Sequence, residues 1–82
     1  MKVIIDLPDT LHPRAASLVR RFAEAMGKKL DKSQRKYGYT DDWTESSLIG
    51  LQDALIEHVE KGDPIDVANF CAFLWHRKAR TQ

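Results

Sequence analysis

Residues 62–76 read GDPIDVANFCAFLWH, and this stretch decides the fold. Asp63 followed by Pro64 is a strong helix start: the aspartate oxygen accepts an orphan N–H of the first turn, and proline has no N–H to satisfy. From Ile65 to Trp75 the segment is apolar nearly all round, as expected of a helix packed on several sides. The spacing predicts a central helix over residues 63–78, with a short tail beyond it that frays.

Working back from this helix, Gly62 stops a preceding one, predicted over residues 47–61 with Thr44 or Ser46 as its cap. Leu48, Leu51, Leu55 and Val59 fall on its inward stripe. Residues 37–46, YGYTDDWTES, form an aromatic loop that is long for a mere connector. Before it, Ala15, Leu18, Val19, Phe22, Met26 and Leu30 recur at helical spacing, predicting a helix over residues 13–36 that starts on Pro13. Residues 1–12, with β-branched Val3, Ile4 and Ile5 and with Pro8, read as an extended arm. The expected fold class is all-α: one domain with a long N-terminal helix and a helical hairpin, preceded by the arm. Dimerisation would complete a four-helix core, so a homodimer or higher homo-oligomer is expected.

Composition bounds the function. Hydrophobic residues make up 43% of the 82 and charged residues 30%, far from the balance of a disordered chain. Thirteen basic against twelve acidic residues leave a formal charge of +1, which argues against bulk capture of nucleic acid or anionic lipid. Cys71 is the only cysteine, so no internal disulfide can form and a reducing cytoplasm is the expected setting. The apolar run at Val3–Ile5 is too short for a signal segment or a membrane span.

Three groups of residues can carry chemistry. Asp53, Glu57 and Glu60 lie within about 60° of one another on a helical wheel, and Asp63 and Asp66 follow at the start of the last helix. Carboxylates gathered at a hairpin turn suit a hard cation such as Mg²⁺; the plainer reading is that the acids solvate an outer face and Asp63 is a cap. Asp66, Asn69, Phe70, Phe73 and His76 share one face of the last helix, the mixture of rings and polar groups that a nucleobase site needs. Lys28, Lys29, Lys32, Arg35 and Lys36 either compensate the helix dipole or hold phosphates, with Tyr37, Tyr39 or Trp43 closing over a base. His58 and His76 have no Cys or His at zinc-ligand spacing, and Cys71 reads as a small core residue.

The segment from Lys36 to His76, KYGYTDDW and then LIEHVEKGDPIDVANFCAFLWH, resembles small MazG-like proteins of the phage and prophage type. The echo is closest at Gly62-Asp63-Pro64 followed by Asp66-Val67-Ala68-Asn69-Phe70. The resemblance implies an all-α, oligomeric nucleoside triphosphate pyrophosphohydrolase that uses Mg²⁺, with the family's acids arranged as EExxE and a later ExxD. Carried over, Glu57 and Glu60 stand for part of the first motif as catalytic and metal-binding residues, and Asp63 and Asp66 for the second as metal ligands. Lys32, Lys36, Tyr39, Trp43, Asn69 and Phe73 are the corresponding candidates for substrate binding. Only two residues separate Glu60 from Asp63, where the family has a longer segment. The competing expectation is a non-catalytic protein that sequesters a nucleotide or binds and modulates a host protein, anchored through Tyr39 and Trp43.

Overall fold

A computed structural model describes residues 4–38 and 41–82 as an all-α chain with three helices, α1 (Pro13–Tyr37), α2 (Leu48–Lys61) and α3 (Pro64–His76). A single 3-10 turn, Asp42–Thr44, lies in the loop between α1 and α2. Each helix start has a local cause. The His12 ring nitrogen accepts from the Arg14 N–H ahead of Pro13, Ser47 Oγ accepts from Gly50, and Asp63 Oδ1 accepts from Ile65 ahead of Pro64. Gly62 ends α2 in the left-handed region at φ 90°, where its N–H reaches the His58 carbonyl.

The end of α3 differs from the sequence expectation by two residues. Lys78 adopts φ 55°, its N–H bonds back to the Trp75 carbonyl, and the Ala79 N–H bonds back to Leu74. That paired pattern is a Schellman motif, and it places Ala79 against the small core.

α3 is the central element, with α1 and α2 both packed on it. The fully buried apolar residues are few among those described: Leu51, Leu55 and Leu74, with Trp43, Val67, Phe70, Cys71, Phe73 and Ala79 packed around them. Two expectations about inward stripes are corrected. Leu48 and Val59 are exposed, because one neighbouring helix covers only part of the apolar arc of α2, the part holding Leu51 and Leu55. α1 buries none of its residues fully, and Leu18 and Val19 face outward. Trp75 is 81% exposed, since α1 and α2 cover two sides of α3 and leave the third open.

This looseness shows in the total surface. The chain exposes 6940 Å², whereas a compact 9.4 kDa monomer is expected to expose about 5,000 Å². No helix among the described residues is long and apolar enough to cross a membrane.

Candidate functional site

All three helices contribute to an open groove of about 600 Å³. α1 supplies Lys29, Leu30, Lys32, Ser33, Lys36 and Tyr37; α2 supplies His58 and Lys61; α3 supplies Asp66, Asn69, Phe70 and Phe73. Four lysines against one acid give the lining a formal excess of three positive charges, in a chain whose total is only +1. The basic character is therefore local, as a phosphate site requires.

The floor is aromatic and ordered by ring contacts. Phe70 and Phe73 meet edge to face at 5.6 Å, and the His58 ring tilts against Phe70 at 4.6 Å. His58 Nδ1 lies 2.8 Å from the Ala54 carbonyl; a carbonyl only accepts, so Nδ1 carries the proton and Nε2 is the nitrogen left for other partners. Trp43 stacks on Phe73 at 5.1 Å and nearly parallel, with His76 meeting the indole edge-on. Arg77 fixes this arrangement by donating to the carbonyls of Trp43 and Ser46. Trp43 lines a smaller hollow beside the main groove, sharing Leu30, Ser33, Tyr37 and Phe73 with it.

Asn69 lies beneath these groups, 4% exposed. Its Nδ2 donates to the Met26 carbonyl at 3.4 Å, while Oδ1 is buried with no hydrogen-bond partner. Reversing the amide would set two oxygens against each other, so this orientation follows from the surroundings.

The structure separates the expected site residues into two sets. Lys32, Lys36, Asn69, Phe73 and Asp66 line the groove together, and Trp43 stands at its edge. Tyr39 lies outside the described residues. Glu57 and Glu60 are exposed on α2 and do not line the groove, because they oppose the side on which Leu51 and Leu55 are buried. Among the described residues no group of three or more His, Cys, Asp or Glu is placed to hold a metal ion.

Asp63 and Asp66 do converge, but on a cation of the chain itself. Lys29 Nζ lies 2.9 Å from Asp63 Oδ2 and 3.6 Å from Asp66 Oδ1. The hydrogen bond to Asp63, then the charges of Asp63 and Asp66, hold the Lys29 ammonium above its ordinary pKa. In return that hydrogen bond, helped by the Ile65 N–H, holds the Asp63 carboxyl below the ordinary carboxylate range. One pair of these acids thus engages an ammonium of the chain, and the other pair projects from an outer face of α2.

His58 and Lys61 are groove residues that the sequence reading did not select. A wheel of α2 carried the signal for His58, which falls beside the buried Leu51 and Leu55; Lys61 falls nearer Glu57 on the wheel, and its place in the last turn of α2 is what brings it to the groove. Comparison with protein-family models, with curated proteins and with solved structures returns no match for this chain.

Proposed function

We propose that this chain binds a nucleoside polyphosphate in the three-helix groove, with phosphates toward the lysines and the base toward Phe70 and Phe73. The observation that carries the reading is one groove joining an excess of positive charge, an aromatic floor and the unpaired Asn69 oxygen. Ammonium groups suit phosphate oxygens, rings suit the face of any base, and a buried acceptor suits a donor on the base or sugar. Turnover asks for carboxylates free to hold a metal, and Lys29 already engages Asp63 and Asp66. Binding without hydrolysis, as in nucleotide sequestration, is the reading supported best.

Calorimetric titration with ATP, GTP, CTP and UTP tests it. Lys32→Ala combined with Lys36→Ala is expected to weaken binding about tenfold or more, and Phe73→Ala to weaken it for every base. Equal affinity in the wild type and the double lysine variant would sink the groove reading. Pyrophosphate release in Mg²⁺ that is lost in Glu57→Gln would restore the hydrolase reading.

A host-protein reading anchored on Trp43 has less support, because that indole is engaged with Phe73 and His76 rather than presented to solvent. We infer instead that the partner of the outer apolar surface is a second copy of this chain. Leu48, Ile49, Ile56 and Val59 leave one arc of α2 exposed.

A further inference from the structure

Mg²⁺ does two things for a bound triphosphate: it neutralises charge and it ties phosphate oxygens to protein carboxylates. In this chain the two roles are divided differently. Asp66 of the groove lining and Asp63 at the start of α3 are bridged by Lys29, and the remaining charge is supplied by Lys32, Lys36 and Lys61. The Lys29 ammonium, 2.9 and 3.6 Å from the two carboxylates, occupies the space next to both. Mg²⁺ entering there would need to displace Lys29 from a hydrogen bond and two favourable charges. The lysine groove, for its part, gains most from a ligand that still carries its full negative charge.

We propose that Lys29 stands in for the divalent cation, so that the groove takes metal-free polyphosphate and Mg²⁺ acts as an antagonist of binding. This rests on the nucleotide reading and deepens it: the ligand is the free triphosphate anion, and its Mg²⁺ complex is disfavoured. Asn69, whose buried Oδ1 lacks a donor within the folded chain, lines the same groove.

The test is calorimetric titration of the full chain with inorganic tripolyphosphate, first in chelator and then in millimolar Mg²⁺. Binding is expected in chelator and is expected to weaken about fivefold in Mg²⁺, since the ion cancels two of the ligand charges that the lysines meet. Binding that requires Mg²⁺, or tightens in it, overturns the proposal and leaves the groove reading standing. Absence of binding in both conditions removes the groove reading, and this proposal with it.

Two variants tie the effect to Lys29. In Lys29→Met, with retention of helical circular dichroism checked first, Asp63 and Asp66 are released to meet the ion, and the Mg²⁺ penalty is expected to vanish or reverse. An unchanged penalty overturns the assignment. Lys29→Arg keeps a cation between the carboxylates and is expected to retain the wild-type response; loss of the penalty in that variant also counts against it.

Discussion

A buried amide oxygen without a donor costs a folded chain about 1–3 kcal/mol, and Asn69 Oδ1 is such an atom on a helix built mainly of apolar side chains. A cost of this size on a marginally stable domain calls for a use elsewhere. Asn69→Leu is expected to raise stability by about 1 kcal/mol, because the orphan acceptor goes and the Met26 carbonyl still serves the helical ladder of α1. The same change is expected to weaken nucleotide binding. Denaturant melts and titrations check the pair of effects, and a variant that is less stable yet equally avid counts against the role given to Asn69. At this scale the sequence was partly legible. Asn69 and Phe73 were selected because helical spacing assigns each to a face before any packing is known, and Lys32 and Lys36 because basic residues cluster toward the end of α1. The bond from Lys29 to Asp63 was not, since its partners lie thirty-four residues apart and only the docking of α1 on α3 joins them.

Among the helices, α3 was the most legible, its start fixed by Asp63-Pro64 and its central place by apolar residues nearly all round. Its end was read two residues too far, because Lys78 is an ordinary helix former and gives no sign of a left-handed turn. Tertiary packing decides that turn: Ala79 folds back onto the core. Holding a non-glycine residue there costs about 1 kcal/mol. Lys78→Gly is accordingly expected to stabilise the chain by about 0.5–1 kcal/mol, seen as a higher denaturation midpoint at unchanged slope. A lower midpoint would mean that the Lys78 side chain itself holds the helix end. The stripes of α1 and α2 were less legible: periodicity marks an apolar face without saying how much of it the same chain can cover, and here Leu18, Val19, Leu48 and Val59 are left outside.

For the molecule as a whole, a radius of gyration of 14.1 Å exceeds the roughly 12 Å expected of a compact chain of this length. If the exposed arc of α2 with Leu48, Ile49, Ile56 and Val59 pairs with a second copy, self-association adds to stability as well as to assembly. The melting temperature is expected to rise by a few degrees for each tenfold rise in protein concentration. Ile56→Glu, at an exposed position on α2, is expected to remove that dependence while leaving the helical content of the chain in place. A melting temperature independent of concentration would rule out coupling between folding and association. The stacking of Trp43 on Phe73 has a practical consequence at this scale. One of the two indoles lies against a groove residue while the other, Trp75, stands in the open. Deleting the outer one as Trp75→Phe leaves a single fluorophore whose emission follows whatever enters between the lysines, so the chain carries its own optical gauge and needs no attached dye.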